Sequence, residues 1–76
     1  MTLYPNPAHE KITLEGSSKA ESKIRIYDMQ GRLLRRKMMM PFEGNVEFRV
    51  DDLARGMYFV EWITEEGRFL NKVILE

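Results

Sequence analysis

Lys23-Ile24-Arg25-Ile26-Tyr27, followed at once by Asp28-Met29-Gln30-Gly31, is the stretch on which the fold of this chain turns. Ile24 and Ile26 alternate with charged residues, the period of two that a half-buried strand requires. The next four residues read as a chain reversal. Aspartate suits the first position of a type I turn because its carboxylate accepts backbone hydrogen bonds, and Gly31 supplies the positive φ that returns the chain. Arg32 to Met39 lies directly after this turn and before Pro41, so it reads as a hairpin partner of Lys23 to Tyr27 rather than a helix.

The same period recurs on either side. Lys11 to Glu15 places Ile12 and Leu14 on one face, and Asn45 to Val50 does so with Val46, Phe48 and Val50. Met57 to Thr64 and Arg68 to Leu75 are two further strands, joined by Glu65-Glu66-Gly67, a short loop whose glycine can take positive φ. With a short leading strand near Thr2 to Tyr4, the count reaches about seven. Helical signals are weak throughout. Short antiparallel strands separated by turns predict an all-β fold, an immunoglobulin-like β-sandwich in which two sheets cover each other's apolar faces. The expected core is Ile12, Leu14, Ile24, Ile26, Leu34, Val46, Phe48, Val50, Leu53, Tyr58, Val60, Trp62 and Val73. Phe59 and Ile63 make Met57 to Thr64 apolar on both faces except at Glu61, as a central strand would be.

At 76 residues the chain can hold one domain with one small core, burying roughly 60% of the surface its unfolded form exposes. Stability of ~4 to 11 kcal/mol is expected at this length. There is no cysteine, so disulfides and thiolate metal sites play no part. Twelve basic and twelve acidic residues balance, and the zero net charge gives no electrostatic reason to expect a nucleic acid or an anionic membrane as partner. No apolar run approaches the ~20 residues that span a bilayer, and the first residues do not read as a signal peptide. Met1-Thr2-Leu3 runs straight into Tyr4-Pro5, as a start placed on a fragment of a longer protein would.

The candidate sites are few. In Tyr4-Pro5-Asn6-Pro7 the prolines fix φ and remove two ladder donors, and Asn6 is pushed toward an extended conformation. Such a segment blunts a sheet edge, or serves as a recognition or spacing element beside an upstream linker. Asp51-Asp52-Leu53-Ala54-Arg55-Gly56 reads as one helical turn, capped by Asp51 or Asp52, closed by Gly56 in a left-handed conformation and plugging the core with Leu53. Adjacent aspartates seldom face one another, and no catalytic partner lies nearby. His9 has no evident nucleophile to serve and is expected at the surface. The Asp28 turn lacks the oxygen ligands a calcium loop needs. Ser17 and Ser18 suit a turn led by Gly16. Lys72 is expected to point outward and pair across the ladder with a residue such as Glu61, or to meet a receptor that grips the last strand. Arg35-Arg36-Lys37 beside Met38-Met39-Met40 forms either a sticky patch or a strand with alternate methionines inside.

Taken together and in order, Tyr4-Pro5-Asn6-Pro7, Ile26-Tyr27-Asp28 through Gly31-Arg32, Leu53 with Gly56-Met57-Tyr58, and a terminal strand carrying Lys72 resemble the type A C-terminal sorting domain of the Bacteroidetes type IX secretion system. The resemblance covers essentially the whole chain. No single motif is specific; the ordered set is. It implies a non-catalytic secretion signal without cofactors, spanning residues 1–76 and excised from a longer secreted protein. Its partners would be the type IX translocon, a sortase-like peptidase and an upstream cargo domain. The route would run through the periplasm to the outer-membrane surface or the medium, and the cleavage site would lie upstream of this chain.

The resemblance also assigns residues. Pro5, Asn6 and Pro7 carry the opening motif; Asp28, Gly31, Leu53, Gly56 and Tyr58 the structural signature; and Lys72, Val73, Ile74, Leu75 and Glu76 the segment the translocon would recognise. Many members end on a basic residue where this chain has Glu76. Strand addition at an edge would use backbone hydrogen bonds for affinity and alternate side chains for specificity; an unpaired edge would equally allow a weak homodimer. Two rivals belong to other classes. A carbohydrate-binding or adhesive sandwich module of a secreted enzyme would need exposed aromatics, for which Trp62, Tyr27 and Phe69 are the candidates. A small hydrolase would need a nucleophile, a base and an orienting group, and none converge here.

Overall fold

The computed structural model describes residues 1–76 as seven strands without a helix. They are β1 (Thr2–Tyr4), β2 (Lys11–Glu15), β3 (Ser22–Tyr27), β4 (Leu33–Met39), β5 (Asn45–Arg49), β6 (Gly56–Thr64) and β7 (Gly67–Leu75). β1, β2 and β5 form one sheet in the order β1-β2-β5, and the other runs β4-β3-β6-β7. Every pairing between these strands is antiparallel. The all-β, immunoglobulin-like sandwich expected from the sequence is therefore the architecture found, with strand limits within a residue or so of those expected. Period-two patterning and turn residues are local signals, and local signals were enough to place the strands.

The inner faces meet in one core. Ile12, Leu14, Val46 and Phe48 line it from the three-stranded sheet, and Ile24, Ile26, Tyr58, Val60, Trp62, Val73 and Leu75 from the other. Leu34 and Leu53 are only half-buried, whereas Ala8, Met39 and Leu75 are buried in addition to the expected core residues. The β3–β4 register accounts for the exchange. Ser22 faces Met39 and Ile26 faces Arg35, but Tyr27 faces Leu33, so Leu34 is the extra residue of a bulge at the sheet edge. Met39 lies before that irregularity on the inward side, while Met38 and Met40 are exposed, which realises the alternate-methionine reading.

Trp62 is the largest group in the core. Its indole Nε1 donates to the Ser22 hydroxyl at 2.9 Å, which satisfies both polar groups where water does not reach. A Cβ on Gly16 would stand 2.8 Å from the Trp62 ring, so the chain can pass this indole only as glycine. The Asp51–Gly56 loop departs from its expected form. Leu53 N–H donates to the Val50 carbonyl at 3.1 Å, making a single turn with no helix. The Val50 and Leu53 carbonyls also accept from Arg55. Gly56 begins β6 at φ +145, a mirror-extended conformation rather than a left-handed cap.

Candidate functional site

β7 is an edge strand, and an edge exposes main-chain donors and acceptors. Over its second half these groups are taken up by the proline-rich segment. Asn6 Nδ2 donates to the Lys72 carbonyl at 3.3 Å, and Ile74 N–H donates to Asn6 Oδ1 at 3.1 Å. One carboxamide thereby imitates a strand residue, donating and accepting side by side. Ala8 continues the imitation with its own backbone: its N–H donates to the Ile74 carbonyl at 2.8 Å, and Glu76 N–H donates to the Ala8 carbonyl at 2.9 Å. Ala8 and Leu75 form a parallel bridge, and both are buried.

The prolines frame this contact. Pro5, Asn6 and Pro7 run through successive bends, with cis peptide bonds before each proline. The chain bends at Asn6, which meets the neighbouring strand with its side chain rather than its main chain. With no N–H on residues 5 and 7, the segment offers few donors for pairing elsewhere. The two residue groups assigned separately by resemblance, Pro5 to Pro7 and Lys72 to Glu76, thus form one structural unit.

Arg55 ties that unit to the nearby loop. Its Nη1 donates to the main-chain oxygens of His9 at 2.7 Å and Glu76 at 3.3 Å, and its Nη2 donates to those of Val50 at 2.8 Å and Leu53 at 2.7 Å. The planar fork of a guanidinium is suited to such convergent acceptors, and charge-assisted bonds are the stronger kind. His9 is exposed as expected, and its Nδ1, carrying the ring proton, donates to the Glu76 main-chain oxygen at 2.9 Å. Arg55 escaped the sequence reading because its partners are backbone oxygens, which carry no residue signature.

At this end of the sandwich lies an open hollow of about 430 Å³, walled among others by Asp28, Leu53, Gly56 and Tyr58. Four of the five signature residues meet there. Asp28 Oδ1 accepts from the N–H groups of Gln30 and Arg32, each at 2.9 Å, and its Oδ2 accepts from Arg32 Nε at 2.7 Å. The Arg32 amide, foremost among these donors, holds the Asp28 carboxyl below its ordinary value. Gly31 N–H closes the turn onto the Asp28 carbonyl at 3.1 Å with φ +84, as the sequence requires. Tyr58 donates its hydroxyl to the Ala54 carbonyl. Asp51 bonds Arg49, which lowers the carboxyl and raises the guanidinium, while Asp52 pairs with Arg35. Neither aspartate caps a helix.

On the outer face of β6, Glu61 is only 4% exposed. Tyr27 donates to it at 3.0 Å, Arg68 bonds its other oxygen and Arg25 lies 3.8 Å away, so the buried charge is fully partnered. The expected Lys72–Glu61 pair does not form: Glu61 sits opposite Leu70, and Lys72 opposite Phe59. The hairpin loop of Glu65 and Glu66 sets this register, two positions away from the expected one. Trp62 and Phe69 turn toward the inner side of the sheet and Tyr27 toward the outer, so the three aromatics share no platform. No three side chains of the histidine, aspartate and glutamate types converge as metal ligands.

Comparison with known proteins adds a family. The model of a family described as the secretion system C-terminal sorting domain matches residues 2–76. A search of curated proteins found no match.

Proposed function

The chain belongs to the secretion system C-terminal sorting domain family, and we propose that it is read by the export machinery at the edge of β7, with the proline-rich segment forming part of the recognised surface. A domain of this family is a sorting signal of the type IX system, a generally non-catalytic kind of domain that directs export to the cell surface or extracellular space. In the proposed scheme an upstream cargo precedes Thr2, crosses the periplasm with this domain attached, and is recognised by the translocon. A sortase-like peptidase then separates cargo from label, upstream of the chain described here.

One observation carries the proposal: the edge of β7 is covered from Lys72 to Glu76 and open before it. Since both main-chain polar groups of Ile74 turn outward, the period of two turns those of Arg68 and Leu70 outward as well, where no other strand pairs with them. An incoming strand would add at this stretch and continue only by displacing Asn6 and Ala8. Recognition and the state of the segment nearest the cargo are then coupled.

The test fuses this chain behind a periplasmic reporter in a type IX-competent bacterium. Deleting Asn71 to Glu76 would strip Val73 and Leu75 from the core and unfold the domain, so substitutions are preferable. Leu70→Pro removes an outward N–H and leaves the β6 ladder intact, as prolines do on edges. Export should fall sharply while the thermal melt of the purified variant stays cooperative. A folded Leu70→Pro fusion exported like the parent would refute the edge as the reading site.

A further inference from the structure

The zero net charge of the chain conceals a strong sorting of charge by face. The residues opposite the core on the four-stranded sheet form cross-strand rows: Met38, Lys23, Ile63 and Arg68; Arg36, Arg25, Glu61 and Leu70; Leu33, Tyr27, Phe59 and Lys72. Five cations stand there against one carboxylate, and that carboxylate is buried beneath Arg25, Arg68 and Tyr27. Of twelve basic and twelve acidic residues in all, the remainder of the molecule therefore holds seven cations and eleven carboxylates. The face is positive and its surroundings negative.

Three features say that this face meets an anion. Lys23, Arg36 and Lys72 have no carboxylate within ion-pair distance. Arg36 lies directly opposite Arg25 across the β3–β4 ladder; Arg25 has Glu61 at 3.8 Å on its other side, so it is Arg36 that faces a like charge without a carboxylate of its own. Between these strands an open hollow of about 460 Å³ is lined by Lys23, Arg25, Arg36 and Lys37 with Ile24 and Met38, and no acid borders it.

The apolar groups settle which anion. Met38, Leu33 and Leu70 are exposed in the same rows as the cations, so each row offers both a charge and an apolar group. The face is the outer side of a four-stranded sheet, broken by the hollow between β3 and β4 and by a second one bordered by Tyr27, Phe59, Arg68 and Leu70. Interspersed cations and apolar side chains on one sheet face match the boundary between headgroups and acyl chains, where mobile lipids supply charge wherever a cation lies.

We propose that the outer face of the four-stranded sheet docks on an anionic lipid surface, with headgroup phosphates seated between Lys23, Arg25 and Arg36. The phosphate seat lies on β3 and β4, at the other side of the four-stranded sheet from the β7 edge, although the face also takes in Arg68, Leu70 and Lys72 of β7; the proposal does not rest on the export reading.

The test is co-sedimentation of this chain with vesicles of phosphatidylcholine alone and of phosphatidylcholine mixed equally with phosphatidylglycerol, at low salt. Binding should occur to the mixed vesicles, fail with neutral ones, and weaken as salt rises. The double variant Lys23→Gln/Arg36→Gln should bind roughly 30-fold more weakly. Lys23→Arg/Arg36→Lys should bind like the parent, as should Lys11→Gln/Arg49→Gln, which removes equal charge outside this face. Absence of binding to the mixed vesicles, equal loss in both glutamine pairs, or capture of the chain by polyglutamate without affinity for vesicles would each overturn the proposal.

Discussion

The sandwich has two open sides, and they are closed by different means. On the β4–β5 side, long cations turn in from the edge: Lys37 donates to the Glu47 carbonyl and lies 5.1 Å over the Phe48 ring, and Arg35 reaches the Asp52 carboxylate. On the β1–β7 side the chain itself does the closing, as Pro5 to Ala8 leave the edge of one sheet and lie along the edge of the other. Charged side chains make an edge unattractive to any strand. A peptide laid along an edge shows instead that the edge accepts strands, and another strand can compete for the same hydrogen bonds. One side is thereby blocked, and the other, in the proposed reading, is reserved.

The largest effect should follow from removing the apolar anchor of the reserved side. Leu75→Ala deletes a buried side chain beside Ala8 and should cost about 2 to 5 kcal/mol by chemical denaturation. Asn6→Ala should cost about 1 kcal/mol, since its groups are exposed and water can replace both bonds. A loss as large as that of Leu75→Ala would mean that the carboxamide organises the whole side. On the blocked side, Lys37→Ala should shift stability by less than about 1 kcal/mol, with its exposed contacts worth little.

Acid provides the mildest probe of the turn that leads into β4. The Asp28 carboxyl is held below its ordinary value of 3.8, so the folded state binds its proton less readily than the unfolded state. Its contribution is complete above the unfolded value and is lost as pH falls through the folded one. Melting temperature measured down an acid series should therefore decline less steeply for Asp28→Asn than for the parent.

The strands were legible because alternation, Gly31 and the Asp28 carboxylate act within a few residues of one another. Partnerships across the molecule were not. Asn6 meets Ile74 some 68 positions away, and nothing local to either residue marks the other. Arg55 is a clasp whose acceptors are all main-chain oxygens. Glu61 looked like the polar interruption of a central strand, and its burial depends on Arg25 and Arg68 arriving from both neighbouring strands. Net charge is silent in a similar way, since a sum over residues does not record the face to which each belongs. The signature residues were chosen by resemblance, and only the fold explains why Asp28, Leu53, Gly56 and Tyr58 belong together, around one hollow.

The reserved edge can be tested directly by native-state amide hydrogen exchange at Ile74 and Leu70, two outward N–H groups on one strand. In the parent, Ile74, bonded to Asn6, should exchange more slowly than Leu70. Asn6→Ala should accelerate Ile74 by roughly fivefold and leave Leu70 unchanged. Equal exchange at the two positions in the parent, or no change at Ile74 in the variant, would contradict the account.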